Sequence, residues 1–109
     1  MTTIYAIHQP DADKLAEVIA EMQALGAPTI EVVDCGDYFQ ALEGSHRLAA
    51  AAELGLEPVL TIHEQDEMLD ISRFDWYQAD PQNWAETEYA AGEVAGEIFS
   101  PRQAAIYNF

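Results

Sequence analysis

Basic side chains are what this chain has least of: four Lys and Arg residues stand against twenty Asp and Glu, a formal charge of −16. Duplex nucleic acid is held mainly through Lys and Arg contacts to its phosphates, so a surface this acidic repels it and direct DNA binding is disfavoured. Cysteine is almost missing too. Cys35 stands alone, so no internal disulfide can form and the fold must hold without one. No apolar run approaches the ~20 residues needed to span a bilayer, and Met1-Thr2-Thr3-Ile4 lacks the basic start and hydrophobic core of a secretory signal. The expected location is therefore the cytoplasm, with no membrane association. Internal repeats, linkers and low-complexity segments are absent as well.

What remains is enough for one folded unit. The 109 residues fit a single domain, 1–109, and half of them are apolar, which separates the chain from a disordered acidic tail. The excess negative charge reads first as a solubility device. It is also compatible with a basic protein partner or with mimicry of nucleic-acid charge.

Along the chain, Thr3 to Ile7 reads as a strand, followed by a helix from Asp11 to Leu25 that Asp11 can cap. In that helix Leu15, Val18, Ile19 and Met22 recur at helical spacing. Gly26 and Pro28 end it. Thr29 to Asp34 and Tyr38 to Leu42 read as strands joined by the turn Asp34-Cys35-Gly36-Asp37. A helix from His46 to Leu54 stops at Gly55, and Pro58 to Ile62 forms the next strand. Between His63 and Asp80 the pattern is poorer, with a short helical or irregular piece at Met68 to Trp76. Asp80-Pro81 marks a helix start, with Trp84, Ala91, Val94, Ala95 and Ile98 as its buried stripe and Pro101 limiting its far end. Ala104 to Phe109 reads as a final strand or packed tail. The implied fold class is small α+β, with helices packed on a mixed or mostly antiparallel sheet.

The most informative stretch is Leu42-Glu43-Gly44-Ser45-His46-Arg47-Leu48-Ala49-Ala50-Ala51, in which a strand delivers a small turn onto a helix N-terminus. Gly44 permits a tight turn with close backbone approach, Ser45 suits an N-cap, and the amides of the first helical turn then point outward at the positive end of the dipole. Arg47 adds a planar, permanently charged fork for phosphate oxygens. Each residue has a plain role as well. Ser45 commonly serves only as a cap, His46 as a packing residue, and Arg47 as one half of a surface ion pair.

This stretch resembles the ParB/sulfiredoxin-like (ParB N-terminal-like nucleotide-binding) family, whose signature is a strand, an acidic or small residue, then G-x-[HR]-R opening an Ala-rich helix. Gln9-Pro10, the helix that follows, Gly26, Pro28-Thr29-Ile30-Glu31-Val32-Val33 and Leu54-Gly55-Leu56-Glu57-Pro58-Val59-Leu60 extend the match, so that it covers about residues 4–67. Residues 68–109 form a C-terminal helix and strand extension that matches nothing. The resemblance implies a nucleotide-phosphate pocket, used by some relatives to transfer a phosphoryl group to a small acceptor such as free serine. Two departures narrow it. Ser45 stands where sulfiredoxins carry their catalytic cysteine, so sulfinic-acid reduction is not implied. His46 replaces one arginine of the partition proteins, and no basic DNA-binding region follows.

The expected function is binding of a nucleotide, ATP, ADP or CTP, or of another phosphorylated small molecule, through Gly44, Ser45, His46 and Arg47. Mg²⁺ arrives with the nucleotide, and hydrolysis or phosphoryl transfer is the accompanying activity to test. Glu43 is the candidate general base and His46 a candidate proton shuttle. No resident metal site is assigned, since the acidic run His63-Glu64-Gln65-Asp66-Glu67 reads more simply as a solvated loop than as Mg²⁺ ligands. Trp76, Tyr77 and Trp84 can stack on a base but read first as core. The alternative is a non-catalytic acidic module that binds a basic protein partner or a second copy of the chain.

Overall fold

Residues 1–98 and 105–109, excepting the side chains of 97 and 98, are described by a computed structural model of the chain. Their order is β1 Thr3–Tyr5, α1 Ala12–Leu25, β2 Thr29–Asp34, β3 Phe39–Ala41, α2 Ser45–Leu54, β4 Val59–His63, β5 Met68–Asp70, α3 Asp75–Ala79, β6 Glu88–Ala90, α4 Ala91–Glu93 and β7 Ile106–Asn108. Strands β4-β2-β3-β1-β7 form one mixed sheet. In it β1/β3 and β2/β4 run parallel, while β2/β3 and β1/β7 run antiparallel. Strands β5 and β6 form a separate antiparallel ribbon.

The hairpin between β2 and β3 turns where the sequence indicates. Gly36 takes φ +90°, its amide donates to the Asp34 carboxylate, and the Cys35 amide donates to the Tyr38 carbonyl. Asp11 caps α1, its side chain accepting from the Lys14 amide at 2.9 Å. Val18 and Met22 of that helix pack on Ala50 and Ala51 of α2, where small side chains let the two helices approach closely.

Strand residues alternate between faces, so adjacent Val32 and Val33 enter different cores, and both are fully buried. Val32, with Ile4 and Ile30, packs on Leu48 of α2. Val33 packs with Leu69, Ile71, Phe74, Ala91, Val94 and Ala95 on the other face. Residues 69–95 thus cover the second face of the sheet. Among the described residues, no helix is long and apolar enough to cross a membrane.

The expected helix from Asp80-Pro81 does not form. Pro81–Asn83 makes a single 3₁₀ turn, Trp84 is extended (φ −116°, ψ 122°), and helix begins only at Ala91, widening to π geometry over Val94–Ile98. The reason is pairing. Leu69 needs a partner strand, and residues 88–90 supply it, with the Thr87 carbonyl accepting from the Ile71 amide at 2.8 Å. Ala91, Val94 and Ala95 are buried as expected, and Trp84 reaches the same core from extended backbone. The piece from Met68 to Trp76 likewise resolves into β5, a 3₁₀ turn at Ile71–Arg73 and the start of α3. The expectations placed on the Ile98 side chain, on Pro101 and on Ala104 lie outside the described residues. Residues 106–108 form the expected final strand.

Candidate functional site

Gly44 sets the geometry of the turn. It adopts φ +73°, ψ 33°, and a Cβ added to it would lie 2.6 Å from Ile30 Cδ1 and 3.2 Å from Arg47 Nη2. Both the left-handed backbone and the missing side chain are needed there. Its conformation makes Gly44 the cap of α2 and places Ser45 inside the helix, which corrects the N-cap expected of Ser45. The Ser45 hydroxyl is buried and faces another task. It accepts from the amides of Ile7 and His8 at 3.2 and 3.4 Å, pinning the loop after β1 to the start of α2.

The first intrahelical bond is donated by Leu48 to the Gly44 carbonyl, so the amides of Ser45, His46 and Arg47 have no acceptor among the described residues. Three outward N–H groups at a helix start, with the dipole behind them, favour an anion. Arg47 donates through Nη1 to the Thr29 carbonyl at 3.0 Å and through Nη2 to Glu43 at 2.8 Å. A guanidinium has five N–H donors, so three remain. The carboxylate of Glu43 is engaged at both oxygens, by Arg47 and by the Glu31 amide at 3.3 Å. It holds Arg47 in place while still lining the cleft.

These residues line a cleft of about 620 Å³ between α1, the α2 turn and the 73–79 segment. Lys14, Arg47 and Arg73, three of the four Lys and Arg residues in the chain, border it, as do His8 and His46. Carboxylates enter too, at Glu21, Glu31, Glu43 and Asp75. Arg73 grips Glu31 through both guanidinium nitrogens at 2.7 and 2.6 Å and lies 4.3 Å from the centre of the Phe74 ring. That grip, with a further hydrogen bond from His63, holds the Glu31 carboxyl at a pKa of about 2. Trp76 closes the apolar side of the cleft, its indole N–H donating to the Leu42 carbonyl at 2.7 Å. Tyr77 and Trp84 pack behind it against the core.

The structure therefore brings together Glu43, Gly44, Ser45, His46 and Arg47, and adds His8, Lys14 and Arg73, which sequence reasoning passed over. With only four Lys and Arg residues in the chain, the scarcity of positive charge is the signal that could have found Lys14 and Arg73. The acidic run after β4 stands apart from the cleft. His63 Nδ1 pairs with Glu67 and its Nε2 with Glu31, and among the described residues no group of three His, Cys, Asp or Glu is arranged to hold a metal ion. Cys35 sits in the hairpin turn, where burial pushes its thiol pKa up and away from thiolate chemistry.

Fold and site together define a small α+β domain with a cation-bordered cleft at a helix N-terminus. Comparison with protein-family models, with curated proteins and with solved structures finds no match to this chain.

Proposed function

We propose that the domain binds a nucleoside di- or triphosphate through its phosphates at the Gly44–Arg47 turn, as a ParB/sulfiredoxin-like domain would. The observation that carries this reading is where the positive charge lies. In a chain of net charge −16, Lys14, Arg47 and Arg73 border one cleft, and the open amides at the start of α2 lie in that cleft. Carboxylates hold Arg47 and Arg73 in fixed positions, and Arg47 keeps three donors for phosphate oxygens. A volume of about 620 Å³ falls within the range of small-molecule sites. Phe74 and Trp76 give the uncharged part of a nucleotide an apolar wall. The motif that resembles the family is the same turn.

The test is calorimetric titration with ATP, ADP, CTP and GTP in the presence of Mg²⁺, on the wild type and on Arg47→Ala. Saturable binding that weakens at least tenfold in the folded variant is expected. Retained affinity removes Arg47 from the site, and absence of binding by folded wild type removes the nucleotide.

One observation favours the second reading, an acidic module for a basic partner. Among the described residues the outer edge of β4 is unpaired; it exposes Val59 and Ile62 and is flanked by Glu57 at one end and by Glu64, Asp66 and Glu67 at the other. An extended basic segment could add there as a further strand. Salt-sensitive capture of such a peptide with no nucleotide response is its signature.

A further inference from the structure

Val59 to His63 of β4 pair in unbroken register with Thr29 to Val33 of β2, and on the other side of β4 no strand stands among the described residues. The Val59 amide donates to the Pro28 carbonyl at 2.9 Å, so the backbone groups of Val59, Thr61 and His63 turn inward to β2. Those of Leu60 and Ile62 therefore point away from the sheet, each offering an N–H and a C=O. Native edges are commonly blunted by a lysine, a proline or a bulge within the strand, and 59–63 contains none of these.

The two faces of that edge differ. Partners across a parallel pair share a face, so Leu60 and Ile62 lie with Ile30 and Val32 on the side of α2, where Leu60 is half-buried and Ile62 is 47 % exposed. Thr61 and His63 lie with Glu31 and Val33 on the opposite side, and there His63 pairs with Glu67, whose carboxylate side chain is exposed. Glu57, Glu64 and Asp66 add negative charge at the two ends of the strand. A second copy of the chain would set these carboxylates against their own kind across the new pairing. A basic strand would meet them with the opposite charge.

Resting on the second reading above and giving it a definite ligand, we infer that the edge of β4 takes an extended segment of a partner protein in which apolar residues alternate with Lys or Arg, added as a further strand. The backbone of that segment bonds to Leu60 and Ile62. Its apolar residues continue the row of Leu60 and Ile62 on the α2 side, and its basic residues run along the Thr61 side towards Glu67. Alternation matters as much as charge here, because the side chains of a strand fall on opposite faces in turn. The basic stems also cover Val59, 59 % exposed, while their charged ends stay in water. No residue from 57 to 67 lines the cleft at the α2 turn, so this surface is separate from the nucleotide site.

Calorimetric titration of the full chain compares two synthetic peptides of about nine residues, long enough at ~3.3 Å per residue to pass both ends of β4. Both hold the same lysines and valines, alternating in one and segregated into two blocks in the other. The alternating peptide is expected to bind roughly tenfold tighter, with ¹⁵N amide shifts centred on Leu60 and Ile62. Ile62→Pro removes an outward N–H and none that β2 uses, and should weaken that peptide by about fivefold, whereas Ile62→Val should leave it unchanged. A second arm needs no protein variant. N-methylating one alternate set of the peptide's backbone amides should abolish binding, and methylating the other set should not. Equal affinity for the two peptides, or indifference to both methylated sets, overturns the strand addition and leaves a basic partner held by charge alone. A dimer of the free chain that Ile62→Pro dissociates makes a second copy the occupant and overturns it as well. Folded wild type that binds neither peptide overturns the second reading itself and leaves the nucleotide titration unaffected.

Discussion

Replacing Gly44 with Ala tests the turn on which the site is built, and the structure provides its own control. An L-residue held in left-handed backbone costs about 1–2 kcal/mol. Gly44 at φ +73° and Gly55 at φ +68° incur that cost alike, as they do any change in unfolded-chain entropy. They differ in space. A Cβ at Gly55 meets nothing within 4 Å, whereas at Gly44 it would lie 2.6 Å from Ile30 Cδ1, and Ile30 is fully buried between the sheet and α2. Forcing an extra carbon into packed surroundings costs about 1–3 kcal/mol. Gly44→Ala is therefore expected to lose about 2–5 kcal/mol and Gly55→Ala about 1–2 kcal/mol, out of the 5–15 kcal/mol typical of a domain. Urea unfolding followed by the fluorescence of Trp76 and Trp84 separates them, since with a slope of about 1–3 kcal/mol per molar the midpoints should differ by roughly 1 M. Equal losses, within about 0.5 kcal/mol, would refute the claim that Ile30 and Arg47 close on an absent side chain.

Ser45→Ala removes the acceptor for two loop amides and should cost about 1–2 kcal/mol, with faster hydrogen exchange at Ile7 and His8. The Glu31 carboxyl, held at about 2 by Arg73 and His63, binds its proton less readily when folded than when unfolded. Its contribution is complete above about pH 4.5 and disappears as the pH falls towards 2, so stability rises with pH across that window. Arg73→Ala should flatten the slope, measured as urea midpoints at several acid pH values, and an unchanged slope would argue against the pair. Cys35, its thiol pKa raised by burial, should react with iodoacetamide more slowly than a free cysteine at pH 8 and approach that rate only in urea.

Much of the first two thirds was legible because short-range signals decide it. The Asp11 cap, the Gly36 turn, the stop at Gly55 and the 3.6-residue spacing of Val18 and Met22 are each local, and each occurs where expected. Residues 68–98 were less legible, since Pro81 marks the start of a turn as well as of a helix. Only the distant need of Leu69 for a partner makes residues 88–90 extended. The turn itself was readable from Gly44 and Arg47. That Ser45 serves the β1–α1 loop, that Glu43 is tied to Arg47, and that His8, Lys14 and Arg73 join them depends on chain crossings that no local pattern encodes.

The place of β1 in the sheet has a consequence for how the protein is made. Strand β1 is flanked by β3 on one side and by β7 on the other, and Tyr5 pairs with Ile106. A ribosome releasing the chain from its N-terminus delivers β1, both motif helices and β4 well before β7. The turn at Gly44 can form early from nearby segments, but one edge of β1 stays unpaired until residues 106–108 emerge. For that interval the nascent chain carries an open strand edge, the feature on which newly made proteins most readily cross-pair. Twenty carboxylate side chains repelling one another between neighbouring copies would protect it then, before the finished fold has any use for them.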